Sequence, residues 1–236
     1  MATAMRTGRW DRWPVAAVAV AAGAAWLAGC GSMAEMGRTP ATPGPVVQPV
    51  AFFGLADSAE SVAYVIDASG SGSDAYPYLQ AALLRSISGL APSQRFAVVL
   101  FGAVSPDVLK FQDKAVLAAA DDANRNLARQ FVLLRREEGP ADEGAPRRAM
   151  QAAFELGGGP PQVVFLVAER PWAEGLVERI AELNPPVGPA VGARRRVRIH
   201  AVGFVNPEVQ PLLRRIAGDN GGRFRFIDAV NLGKEQ

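Results

Sequence analysis

The chain has 236 residues, 49% of them hydrophobic and 20% charged, ordinary values for one medium-sized globular domain with some additional non-domain sequence. Its 25 basic residues exceed its 23 acidic ones only through the first 29 residues, where Arg6, Arg9 and Arg12 face Asp11 alone; the rest is formally neutral, which speaks against a general nucleic-acid-binding role. The single cysteine excludes an intramolecular disulfide.

Ahead of that cysteine, Cys30, come the three arginines, then an apolar stretch from Trp13 through Leu27 dominated by Ala and Val, then the small residues Ala28 and Gly29. That order is the profile of a secretory signal peptide. At about 16 residues, the apolar stretch is shorter than the roughly 20 a membrane-crossing helix needs. Leu27-Ala28-Gly29-Cys30 resembles the bacterial lipobox. The resemblance implies cleavage before Cys30, lipidation of its thiol, and an exported protein lipid-anchored to the cell membrane or outer membrane. Gly31-Ser32 lacks the acidic residue that resembles an inner-membrane retention signal in enterobacteria. Beyond Cys30 the chain is poor in large apolar residues and carries Pro40, Pro43, Pro45 and Pro49, the composition of a stiff tether. The expected organisation is a signal peptide over 1–29, a lipidated Cys and tether over 30–50, and a folded domain over 51–236.

From Phe52 onward, short β-branched or aromatic runs alternate with stretches of helical period, the pattern of an α/β domain with a mostly parallel sheet. Strands are predicted at Ser61–Asp67, Arg95–Phe101, Gln162–Ala168, Arg196–Phe204 and Arg223–Asp228. Most are near-continuous apolar runs, as expected of strands buried on both faces. A short edge strand, Val108–Phe111, follows the turn at Ser105-Pro106-Asp107 closely enough to pair antiparallel. Helices are predicted at about Tyr76–Ser88, Lys114–Glu137, Ala145–Leu156, Ala173–Leu183 and Pro207–Gly218. Their apolar residues recur at three- and four-residue steps, as in Leu79, Leu83, Leu84 and Ile87. After the last helix, Gly221 and Gly222 can take the left-handed backbone that turns the chain into the final strand. Right-handed crossovers then give a Rossmann-like three-layer α/β sandwich, helices covering both faces of the sheet. Phe52 and Phe53, opening the domain, are read as core; the run Arg194, Arg195, Arg196 and Arg198 is read as a solvated loop rim.

The chemistry concentrates after the first predicted strand, in Asp67-Ala68-Ser69-Gly70-Ser71-Gly72-Ser73. A carboxylate ends a buried strand and hydroxyls follow at alternate positions. Hard oxygens therefore gather at the carboxyl edge of the sheet, where open α/β folds bind ligands. Such donors suit magnesium, manganese or calcium rather than zinc. A second reading of the same residues has Ser69, Ser71 or Ser73 capping the next helix and Asp67 held by hydroxyl and backbone hydrogen bonds.

Asp67-x-Ser69-x-Ser71 resembles the Asp-x-Ser-x-Ser signature of the metal-ion-dependent adhesion site in von Willebrand factor type A domains. Ile87-Ser88-Gly89-Leu90 before Phe96–Phe101 is similar to that family's first helix end and second strand. Leu213–Ala217 with Gly221-Gly222-Arg223-Phe224 is similar to its closing helix, double glycine and last strand. The resemblance spans roughly Phe52 to Asp228. It implies a binding module whose metal, Mg2+ or Mn2+, is completed by an acidic residue of a partner protein. It also implies a threonine ligand where this chain has Ala141, and an aspartate ligand where it has Glu169 followed by Arg170. The expected metal set is thus Asp67, Ser69, Ser71 and Glu169, with Ser73, Asp142, Arg170 and Trp172 on the partner-binding rim.

Enzyme readings find little support. The only histidine, His200, lies inside a strand-like run, and no Gly-x-Ser-x-Gly elbow surrounds the serines. The glycines of the loop form neither a P-loop nor a full Gly-x-Gly-x-x-Gly, and Gly157-Gly158-Gly159 before Pro160-Pro161 reads as a turn. The sequence therefore points to a non-catalytic protein-binding module held at the membrane by its lipid.

Overall fold

The computed structural model describes residues 47–69, 75–102, 106–134, 142–172, 175–188, 194–230 and 232. Cys30, Ser71, Ser73 and Ala141 lie outside them. Among the described residues no helix is long and apolar enough to cross a membrane.

The chain enters through a hairpin, β1 (Pro49–Phe52) and β2 (Leu55–Ser58), paired antiparallel from Pro49↔Ser58 to Phe52↔Leu55. Its two turn residues, Phe53 and Gly54, both have positive φ, the requirement of a two-residue turn that matches strand twist. The predicted tether therefore gives way to ordered strand at Pro49. Val50, Phe52 and Phe53 are buried, as expected for the two phenylalanines.

The main sheet has β3 (Ser61–Asp67), β4 (Arg95–Phe101), β5 (Asp107–Val108), β6 (Ala118–Ala119), β7 (Val163–Ala168), β8 (Arg198–Phe204) and β9 (Phe224–Ile227). Its order is β5-β4-β3-β7-β8-β9, with β6 also on β4. The five strands from β4 to β9 run parallel, while β5 and β6 pair antiparallel with the end and start of β4. Every residue of β3 and β7 is buried, which explains their uninterrupted apolar runs. Helices α1 (Tyr76–Ser88) and α2 (Asp122–Leu134) and the hairpin cover one face; α3 (Ala145–Phe154), α4 (Leu176–Leu183) and α5 (Gln210–Asp219) cover the other. The fold is the expected three-layer α/β sandwich.

Some predicted boundaries shift for local reasons. The helix expected from Lys114 begins at Asp122. Residues 111–114 instead close a tight turn through Gln112 and Asp113, both at positive φ, and Ala118–Ala119 is recruited as β6. Asp121 then caps α2, its carboxylate accepting from the Asn124 amide at 2.8 Å. The edge strand shortens to Asp107–Val108 because the same turn bends the chain away. Helix α4 starts only after Gly175, whose φ of 97° is not helical. The helix expected from Pro207 opens with a 3-10 turn, Pro207–Val209, capped by the Asn206 side chain.

Asn220 and the double glycine end α5. Gly221, at φ 65°, bonds back to Gly218 O at 3.4 Å and Gly222 N to Ala217 O at 2.9 Å, the paired bonds of a Schellman motif.

At the amino edge, a polar cluster ties the hairpin to β8. Arg198 grips Asp57 through Nε (2.6 Å) and an η nitrogen (3.0 Å), and His200 Nε2 lies 2.9 Å from the same carboxylate. His200 Nδ1 accepts from the Arg223 amide at 3.0 Å, so the proton sits on Nε2 and points at Asp57. Both ring nitrogens are thus engaged in structure. The basic run is not simply a solvated rim: Arg198 holds Asp57, and Arg195 donates to the Asn184 and Asp219 carbonyls. Arg194 and Arg196 are exposed.

Candidate binding edge

The strand order places β4 on one side of β3 and β7 on the other. Connections therefore leave the carboxyl ends of β3 and β7 in opposite directions, opening a crevice between them; this is the ligand position of open α/β sheets. Asp67 ends β3 and Glu169 directly follows β7, so the two carboxylates named from sequence stand at the two lips of that crevice.

Asp67 is 1% exposed. Its Oδ1 accepts from the Ser69 hydroxyl at 2.6 Å and the Ser69 amide at 3.0 Å; its Oδ2 accepts from the Glu169 amide at 3.1 Å. The carboxylate thereby ties the turn after β3 to the end of β7. Burial pushes the Asp67 pKa up, against the Ser69 and Glu169 hydrogen bonds and the positive charge of Arg170, which pull it down. Glu169, half-buried, is also raised, first by burial and then by the charge of Asp67; Arg170 again opposes. Burial thus disfavours both ionised carboxylates, and the charge of Arg170 opposes that shift at each of them.

Other predicted rim residues are placed differently. The Asp142 amide donates to Gly102 O at 3.0 Å, just beyond β4. Its side chain is occupied locally, accepting from the Gly144 amide at 2.8 Å and ion-pairing with Arg148, so it clamps the start of α3. Trp172 is partly buried and packs on Phe101, ring centroids 5.5 Å apart, carrying the chain after β7 across to the end of β4. Arg170 is exposed. Glu169, expected to act through its carboxylate, bonds to Asp67 through its amide instead, a role any residue type could fill.

The described donors are all hard oxygens: the Ser69 hydroxyl lone pairs, the lone pair left on Asp67 Oδ2, and the Glu169 carboxylate. Hard oxygens are the donor class that magnesium takes. Among the described residues there is no group of three or more His, Cys, Asp or Glu side chains disposed to cage a metal, and Ala141 offers no side-chain oxygen.

No family model matches the chain, and no curated protein matches it. Solved structures do. A von Willebrand factor type A protein from Catenulispora acidiphila is 20% identical with a TM-score of 0.55, over 77% of this chain and 42% of that one. Proximal thread matrix protein 1 of the mussel byssus is 17% identical with a TM-score of 0.52, over 74% and 43%. A form of that mussel protein with zinc occupying its MIDAS motif gives 14% and 0.51, over 74% and 45%. This chain thus spans less than half the length of these structures. With its parallel sheet, its order of strands and its covering helices, the chain has the von Willebrand factor type A fold.

Proposed function

We propose that this chain is an exported, lipid-anchored, non-catalytic module that binds a partner protein at the carboxyl edge around Asp67, Ser69 and Glu169. The observation that carries this is a buried strand-end carboxylate, held by Ser69 and by the amide after β7, at the point where the chain connections diverge. A binding role agrees with the fold. Mg2+ or Mn2+ would be held there by the Ser69 and Ser71 hydroxyls with Asp67 and Glu169 behind them, leaving a position for an acidic side chain of the partner. The cation would supply charge that bridges the two proteins. A metal-free variant of the same role is favoured by one feature: Arg170 already brings positive charge to both carboxylates.

Titration calorimetry with Mg2+ and Mn2+ separates the two. Metal-assisted binding gives heat with the wild-type chain and none with Ser69→Ala, a part-buried hydroxyl whose removal spares the core. No heat and no thermal shift in the wild type assigns the edge to metal-free recognition. For the binding role itself, Asp67→Asn, which keeps shape but changes charge and donor pattern, is expected to weaken capture of the envelope partner more than about tenfold, because the buried carboxylate that orders the Ser69 turn and the Glu169 amide at the edge is lost. Full capture by a folded Asp67→Asn protein removes the edge from recognition.

The anchor has its own test. Cys30→Ala is expected to abolish incorporation of labelled fatty acid and to stop processing at that position. Labelling that persists in the variant would rule out Cys30 as the acylated residue.

A further inference from the structure

Helix α2 exposes three leucines beside Asn126, Arg129 and Gln130. Leu127, Leu133 and Leu134 are 43%, 46% and 81% exposed. Only Ala128 and Val132 are buried, with Phe131 packed partly against the core. After Asp122, which pairs with Arg125 at 3.1 Å, the helix carries no acidic residue; its remaining charges are Arg125 and exposed Arg129. By contrast, α4 turns Glu178 and Glu182 outward. Outward leucines with flanking arginines are the composition of helices that lie in a lipid headgroup layer.

The point where the chain enters the domain indicates the same surface. The last residue before the hairpin, Gln48, is held through its carbonyl by Gln94 Nε2 at 2.8 Å. Arg125, in the second turn of α2, donates to the Leu90 carbonyl. Leu90 and Gln94 bracket one short connection between α1 and β4, so Gln48 enters the domain beside the start of α2. From Cys30 to Gln48 is 18 residues, a reach of at most roughly 65 Å for any chain of that length, against a helix about 20 Å long. A domain held this close meets the bilayer at high effective concentration, so a few apolar contacts suffice to orient it.

We infer that α2 docks on the lipid surface, with Leu127, Leu133 and Leu134 entering the headgroup region and Arg129 facing anionic phosphates. This rests on the lipid-anchor reading for proximity. Because α2 lies along one face of the sheet, docking leaves the edge at Asp67 and Glu169 accessible beside the membrane.

The test uses the full-length chain bound to phosphatidylcholine–phosphatidylglycerol vesicles, with a bimane label on Leu127→Cys or Leu134→Cys, and on Glu182→Cys as the exposed control on α4. Quenching by doxyl-labelled lipid is expected to be about fivefold stronger at positions 127 and 134 than at 182, from burial of those side chains in the interface. A Leu127→Ser, Leu133→Ser variant labelled at 134, unchanged in Tm because these positions are exposed, is expected to lose most of that excess. Equal quenching at all positions overturns the inference. A bimane shift that needs envelope protein and is absent with pure lipid also overturns it and assigns the surface to a protein. Failure of the anchor reads separately: an unacylated chain that still shows strong quenching at 134 defeats the anchor and keeps the contact. An acylated, membrane-bound chain without quenching does the reverse.

Discussion

Replacing Gly222 by Ala is expected to lower the unfolding free energy by about 3 kcal/mol, a fall in Tm of roughly 6–12 °C for a domain of this size. A Cβ on Gly222 would sit 1.9 Å from the Ile199 carbonyl oxygen and 2.4 Å from its carbon. The obstacle is the backbone of β8, a strand in the middle of the parallel sheet, so relief requires parting the end of α5 from the sheet rather than turning a side chain. Gly221 makes the informative contrast. A Cβ there meets nothing within 4 Å, and its cost comes only from φ at 65°, about 1 kcal/mol for a left-handed alanine. Chemical denaturation of the two single variants therefore separates two duties inside one glycine pair. Equal losses would show that close approach to Ile199 does not matter.

The second large effect concerns Asp57. Asp57→Ala strips the carboxylate from Arg198, which keeps its bond to the Ser58 carbonyl, and leaves the His200 Nε2 proton buried and unsatisfied, at an expected cost of about 2–3 kcal/mol. The loss should detach the hairpin first, seen as faster amide exchange in Pro49–Ser58 than in β7. Uniform exchange across both segments would refute a local staple. The same cluster sets a pH dependence. Burial raises the Asp57 pKa, but hydrogen bonds from Arg198 and His200 outweigh it and hold the carboxyl below its ordinary value. Burial pushes His200 below its ordinary value, against the Asp57 hydrogen bond that raises it.

A histidine kept neutral by the fold stabilises nothing extra at high pH, but stability is lost as pH falls below about 6.5, where the unfolded chain takes up a proton that the folded chain refuses. The contribution of Asp57 is present above the ordinary carboxylate value and is lost only as pH falls through its lowered native value. Asp67 and Glu169, both raised, act in the opposite sense, since the fold favours their protonated forms on acidification. His200 is the only histidine. Wild-type stability should therefore decline as pH falls from about 6.5 to 5.5, by up to about 1.4 kcal/mol per unit, and His200→Gln should flatten the slope. An unchanged slope in that variant would exclude His200 as its source.

Much of the fold was legible because burial leaves a local record. Ser61–Asp67 and Arg95–Phe101 matched residue for residue, since strands covered on both faces read as apolar runs bounded by polar residues. Tyr76–Ser88 matched because a proline in its first turn and an i, i+3, i+4 stripe mark both start and inner face. The hairpin before β3 was missed. Four-residue strands are too short for their alternation to stand out, and the residues they pack against lie on the main sheet, far along the chain. The start of α2 was misplaced because Val116, Leu117 and Ala120 fit either period, and long-range pairing of β6 with β4 decided between them. At the binding edge, Asp67 and Ser69 were readable as a strand-end carboxylate with a hydroxyl two residues on. The amide of Glu169 reaching Asp67 was not, since no residue type announces a backbone donor.

The sequence by itself determined the α/β alternation, the buried strands, the helix faces and Asp67 as the acid at the end of β3. Each of these is written in side chains within a few positions of one another, where periodicity and capping act. Tertiary structure alone decided that Arg198 and His200 meet Asp57 across more than a hundred residues, that Trp172 packs on Phe101, and that Asp142 clamps its own helix. It also left three leucines of α2 facing outward. Such outcomes depend on strand order and crossover geometry, which bring distant segments together after local preferences have been satisfied.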